Sequence, residues 1–158
     1  MPEIKVMHVN RENFRPYGQV ISMQYDNTEP LSKDTVIYNG VLALMDCNDL
    51  LQIGLFESNK KEMTINRLEQ HCNTQEFLFA ARGDFIVPAA YSDHNGHPDS
   101  CSMAGFMVKQ GEGIVFDKGI WHTSPIPAKD DCLVVVVFKK GTPENDVTYQ
   151  ECETYNLK

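Results

Sequence analysis

At 158 residues the chain suits one domain, residues 1–158, with room for a sizeable core but not for two ordinary ones. A formal net charge of -8 argues against nucleic acid or an anionic membrane as partner, because either needs clustered Lys and Arg. Five cysteines without a C-x-x-C pair fit a reduced cytosol better than a disulfide framework, and the longest apolar run, Leu133 to Phe138, is too short to cross a bilayer, so a cytoplasmic protein is expected.

Short β-type runs separated by Gly, Pro, Asn and Asp recur along the chain, and amphipathic helical periodicity is hard to find. In chain order a strand is expected at Lys5 to Val9, then one helical turn at Arg11 to Phe14, then strands at Gln19 to Met23, Val36 to Asn39 and Leu51 to Phe56. Further strands follow at Met63 to His71, Glu76 to Ala81, Phe85 to Ala89, Ser102 to Val108, Gly113 to Phe116 and Leu133 to Lys139. Tyr91 to Asp99 reads as a solvated loop, and its His94 and His97, though spaced H-x-x-H, are too weak a pair to mark a metal site. Thr142 to Lys158 is polar enough to lie on the surface or against a partner subunit. The class is mostly β, and strands of this length and spacing close into a barrel or stack as a sandwich.

Strand alternation sends Arg67, Glu69 and His71 to one side and Leu68 and Gln70 to the other. Beyond a turn at Cys72-Asn73-Thr74 the chain can double back and bring Glu76 to the same point, and His122 can add a second imidazole. Glu69, His71, Glu76 and His122 are therefore the candidate metal ligands, against the plainer reading that they form a buried hydrogen-bond network. Two imidazoles and up to two carboxylates suit a divalent ion, Ni among them, with Mn, Zn or Fe equally compatible. Arg67 either clamps a substrate carboxylate or pairs with Glu69 or Glu76, Trp121 packs in the barrel or walls a pocket, and Cys72 is expected to pack rather than react.

Two segments carry a resemblance. His71, Glu76 and Gly83 are similar to the first cupin motif, with Glu69 where the first His usually stands, and Gly111, Gly119 and His122 resemble the second, with Asp117 in place of its Pro and Ile126 where an Asn is often found. The resemblance implies a cupin-type double-stranded β-helix, a jelly-roll barrel with few short helices, and pairing as a homodimer. Across almost the whole chain there is a closer resemblance to the ureidoglycolate lyase family. It rests on Ile4-x-Val6, on Glu12-x-Phe14-x-x-Tyr17-Gly18-x-Val20-Ile21, on Glu69-x-His71 and on Trp121-His122.

That family resemblance implies a carbon-nitrogen lyase of purine (allantoin) catabolism that splits ureidoglycolate, a small anionic substrate, into glyoxylate and a nitrogen product, urea or ammonia. The reaction is an elimination: loss of the hydroxyl proton expels the ureido nitrogen. Glu69, Glu76 and Arg67 are then the catalytic candidates and Arg67, Trp121 and Lys140 the substrate-binding ones, with Lys140 near the family's basic position after the last strand. If Glu76 ligates the metal, Glu69 is the better base; if Glu69 ligates, the roles exchange. Glu76, where the family pattern has Gln, favours the alternatives: another metal-dependent cupin enzyme, an isomerase or oxygenase on a small oxyacid or sugar, or a non-catalytic ligand-binding module.

Overall fold

Gly113–Phe116 is buried at all four positions, which a strand achieves only when both of its faces are covered, so the sheets of this protein must be packed on more than one side. The computed structural model describes residues 1–25, 29–37, 42–59 and 62–158. The elements run β1 (Glu3–Ile4), β2 (Val6–His8), α1 (Arg11–Phe14), β3 (Gly18–Ile21), β4 (Glu29–Ser32), β5 (Thr35–Ile37), β6 (Leu51–Ser58) and β7 (Thr64–Gln70). They continue with β8 (Glu76–Arg82), β9 (Phe85–Ala90), β10 (Ala104–Val108), β11 (Gly113–Phe116), β12 (Trp121–His122), β13 (Ile126–Pro127), β14 (Cys132–Lys139), α2 (Thr142–Asn145) and β15 (Thr148–Leu157).

One sheet has the order β3-β11-β8-β14-β6, and the other β1-β15-β7-β12-β9-β10-β2, with β13 also paired to β9. Between β6 and β14 the chain passes repeatedly from one sheet to the other, and β6-β14-β8-β11 faces β7-β12-β9-β10. That wiring is the eight-stranded jelly roll, the double-stranded β-helix expected of a cupin. Between the sheets lies the main core, with Leu78, Ala80, Ile114, Phe116 and Val134 from one and Phe85, Val87, Ala89, Phe106 and Val108 from the other.

A second core forms on the far side of the larger sheet. The N-terminal segment pairs in parallel with β15 through β1 and with β10 through β2, so one continuous stretch of chain ties the two ends of that sheet together. Ile4, Ile65, Leu68, Ile86, Ala90, Trp121, Ile126 and Leu157 are buried inside this closure. The strands between the two cores alternate their loyalty: on β9, Phe85, Val87 and Ala89 enter the first and Ile86 and Ala90 the second.

The structure differs from the sequence reading in particular places. The strand expected from Ser102 starts at Ala104, because Ser100–Ser102 forms a 3-10 turn capped by the Asp99 carboxylate, which accepts the Cys101 N–H. The strand expected at Val36 to Asn39 is seen as β5, residues 38 and 39 lying outside those described. Thr142 to Lys158 is a turn of helix followed by the ten-residue β15, which pairs antiparallel with β7 and ends at the buried Leu157. Cys72 is exposed rather than packed. Among the described residues no helix is long and apolar enough to cross a membrane.

The N-terminal signature has a packing explanation. Asn10 caps α1 through the N–H groups of Glu12 and Asn13 and so directs Phe14 into the main core, edge-on to Phe106 at 5.0 Å. Gly18 follows because β3 presses on β11 there: an added Cβ would stand 1.9 Å from the Val115 carbonyl oxygen. Gly83 is required twice over, by a φ of +69° and by the Asp131 carbonyl oxygen 2.3 Å from where a Cβ would lie. Gly18→Ala is expected to cost about 3 kcal/mol or more, whereas Gly96→Ala, where nothing lies within 4 Å, should cost only the left-handed backbone term of about 1 kcal/mol. Urea denaturation of the two variants would contradict this packing if Gly18→Ala proved the milder change.

Candidate active site

Three strands place the functional side chains. His71 follows the last residue of β7, Glu76 opens β8, and β12 sets His122 directly across from Glu69 of β7 and Ala89 of β9. Directly opposed residues share a face of the sheet, so Glu69 and His122 both point toward the smaller sheet. On the other side of β7, Tyr149 of β15 is opposite Glu69, which gives a row Tyr149, Glu69, His122, Ala89 across four strands.

Glu76 lies buried between the two imidazoles, its Oε2 2.7 Å from His122 Nε2 and 3.5 Å from His71 Nε2. Each ring is held from behind. The Nδ1 of His122 is 2.9 Å from the Ile120 carbonyl oxygen and that of His71 is 2.7 Å from the Asp146 carbonyl oxygen. A carbonyl can only accept, so both Nδ1 atoms carry the proton and both Nε2 atoms are directed at the carboxylate. The His122 ring also lies flat on Phe116, with centroids 4.5 Å apart and an interplanar angle of 17°.

Burial alone would raise the Glu76 pKa, but hydrogen bonds and charge from His122 and His71 outweigh it and hold the carboxyl down at about 2. Burial likewise works against a charged His71, and Glu76, with help from the Asp146 carbonyl and Glu69, overcomes it and raises the imidazole to about 9. One nitrogen from each of the two imidazoles and one oxygen of Glu76 all lie within 4.8 Å of one another. Two imidazole nitrogens with protonated far sides and one carboxylate form a donor set suited to a divalent ion.

A cavity of about 260 Å³ opens beside this group. Glu69, His71, Glu76, Ser124, Thr142 and Tyr149 give its polar lining, and Leu55, Phe56, Leu78, Val136, Phe138 and Val147 are among its apolar walls. Glu69 faces the cavity but stands apart from the three close donors, accepting a hydrogen bond from the Ser124 hydroxyl at 3.2 Å. Arg67 does not line the cavity; its guanidinium covers the ring of Tyr149, 4.7 Å from the centroid. Trp121 faces the other way, because alternation along β12 sends His122 toward the smaller sheet, buried behind Glu76, and the indole into the second core, where its N–H donates to Ser92 Oγ at 3.1 Å. Lys140 is exposed on the turn after β14, its backbone N–H bonded to the Leu50 carbonyl, and is not part of the cavity wall.

Asp146 braces the candidate site in a way that spacing did not reveal. Its carboxylate accepts the backbone N–H groups of Cys72 and Asn73 at 3.1 and 2.9 Å and the Asn73 side-chain amide at 2.9 Å, while its own carbonyl holds His71. The turn between His71 and Glu76 is therefore latched to the segment that supplies Thr142, Pro143 and Val147 to the cavity. Tyr149 and Ser124 were also missed; Tyr149 lay in a tail without a hydrophobic pattern, and Ser124 in a loop with no motif of its own.

The ureidoglycolate lyase family model matches residues 1–158. The ureidoglycolate lyase of Escherichia coli K12 is 27% identical over 126 residues, covering 76% of this chain and 77% of that protein. The ureidoglycolate lyase of Burkholderia cepacia is 27% identical over 150 residues, covering 90% and 82%. Among solved structures, oxalate decarboxylase from Bacillus subtilis aligns with a TM-score of 0.46 and 14% identity over 65% of this chain, which spans only 24% of the decarboxylase chain.

The two shifted groups give a stability profile for metal-free protein. His71, raised from 6.5 to about 9, contributes stability that is full below about pH 6.5 and lost as pH rises through 9. Glu76, lowered from 4.5 to about 2, contributes stability that is present above about pH 4.5 and lost as pH falls toward 2. In chelator-treated protein Glu76→Gln should therefore lower the melting temperature most between about pH 4.5 and 6.5 and progressively less toward pH 10. A melting-temperature deficit that does not change with pH would contradict the charged pairing.

Proposed function

The chain belongs to the ureidoglycolate lyase family, and on that premise we propose that it splits ureidoglycolate into glyoxylate and urea, in the cytoplasm and within allantoin catabolism, with a divalent ion held by His71, Glu76 and His122. The observation that carries this reading is the division of carboxylates in one cavity. Glu76 is committed to the two imidazoles, and Glu69 is left facing the open space.

A divalent ion bound by the three donors would supply positive charge to the carboxylate and hydroxyl oxygens of the substrate and make the hydroxyl more acidic. Glu69 takes the hydroxyl proton, and the Ser124 hydroxyl, by donating to Glu69, fixes the direction in which its carboxylate points. Much of the cavity wall is apolar and supplies no group to activate a water, which suits an elimination that consumes none. Among the described residues no Lys or Arg lines the cavity, so the anionic substrate depends on the metal site for its counter-charge. A homodimer remains part of the proposal: β6 is an edge strand with Leu51, Ile53 and Leu55 exposed, an apolar surface that a second copy would cover.

Glyoxylate release from racemic ureidoglycolate, measured against spontaneous decay, should exceed the blank, fall after chelation and return with nickel or manganese. Metal should raise the melting temperature of the wild type and leave that of His122→Ala unchanged. Glu69→Gln should keep the metal-induced shift while losing about 10² to 10⁴ in kcat. No release from folded, metal-loaded protein would remove the lyase reading, and loss of the metal shift in Glu69→Gln would make Glu69 a ligand instead of the base.

A further inference from the structure

Expelling urea requires a proton for the departing nitrogen as well as a base for the hydroxyl, and Glu69 supplies only the second. The protic groups of the cavity narrow the choice of acid. The Ser124 hydroxyl is donated to Glu69, and the Thr142 hydroxyl is donated to the Lys139 carbonyl at 2.7 Å. His71 gives its Nδ1 proton to the Asp146 carbonyl and turns its Nε2 toward Glu76. Tyr149 lines the same cavity, and among the described residues its phenol makes no hydrogen bond.

The position of Tyr149 fits the task. It stands directly across from Glu69 in the β15–β7 ladder, and opposed residues of an antiparallel pair bring their Cβ atoms within about 5.5 Å of each other. Acid and base are thus neighbours on one face, with His122 next in the same row. The Arg67 guanidinium, 4.7 Å from the centre of the Tyr149 ring, holds that ring and places a positive charge beside any negative charge formed on it.

We infer that Tyr149 is the general acid of the elimination, an assignment that rests on the lyase reading above. Glu69 takes the hydroxyl proton, the O–H electron pair becomes the second bond of the glyoxylate carbonyl, and the C–N bond breaks. Its electron pair takes the phenolic proton of Tyr149, so the nitrogen leaves as neutral urea. The step ends with Glu69 protonated and Tyr149 as phenolate beside Arg67; return of the proton from Glu69 to Tyr149 resets both groups. No oxidant, reductant or water is consumed.

Tyr149→Phe keeps the ring that Arg67 covers and removes only the hydroxyl that carries the proton. With a metal-loaded wild type that is active on ureidoglycolate as the reference, the variant should lose about 10² to 10⁴ in kcat, with KM within about twofold and the metal-induced melting shift retained. The thiourea adduct of glyoxylate provides a second readout: its leaving anion is more stable and needs less protonation, so the loss caused by Tyr149→Phe should shrink on that substrate. Unchanged kcat, a loss confined to KM, or an equal loss on both substrates would each overturn the assignment. An inactive wild type would instead remove the lyase reading on which it rests.

Discussion

A buried carboxylate cannot stay ionised without compensation, and Glu76 is that carboxylate. Its charge is met by His122 and His71, and each imidazole is in turn fixed by a backbone carbonyl, one two residues away at Ile120 and one seventy-five residues away at Asp146. Much of the local architecture follows from keeping these groups in place. Phe116 supports the His122 ring from one face, and Asp146 ties the turn after His71 to the segment closing the cavity. Such an arrangement is costly for a purely structural core, since apolar residues of similar volume fill space without desolvating a charge. Its placement at an open cavity, beside a second carboxylate that is not part of it, gives the charge a chemical use.

The second constraint is the period of two along β12. Trp121 and His122 are adjacent in sequence and point into different cores, the indole into the closed end of the larger sheet and the imidazole into the space between the sheets. The pair therefore joins a packing anchor to a candidate metal ligand. A shift of one residue in the pairing of β12 would reverse both. Closure of the larger sheet by the N-terminal segment fills the core that receives Trp121, which connects the opening Ile4-x-Val6 stretch to the geometry of a site far from it in the chain.

What could be read from the sequence was local. Alternation and turn residues placed β8, β9, β11 and β14 to within a residue or two, and motif spacing picked out His71, Glu76 and His122. Pairing partners are set by register between distant strands, and no single stretch encodes them. β15 was missed because its partly buried residues, Gln150, Cys152 and Thr154, do not read as a hydrophobic stripe. With β15 unseen, neither the latch from Asp146 nor the position of Tyr149 beside Glu69 could be seen. Arg67 was assigned to the correct face of β7, but alternation gives a direction and not a reach, and the guanidinium ends on the Tyr149 ring.

In the proposed site one carboxylate, Glu76, binds metal and the other, Glu69, does not. Anomalous diffraction from crystals of manganese-loaded protein tests it directly. The expected result is a metal peak bonded to the Nε2 atoms of His71 and His122 and to the carboxylate of Glu76, with the Glu69 carboxylate free to face the cavity. A peak bonded to Glu69 in place of Glu76, or one found only elsewhere, such as at His94 and His97, would contradict this division of roles.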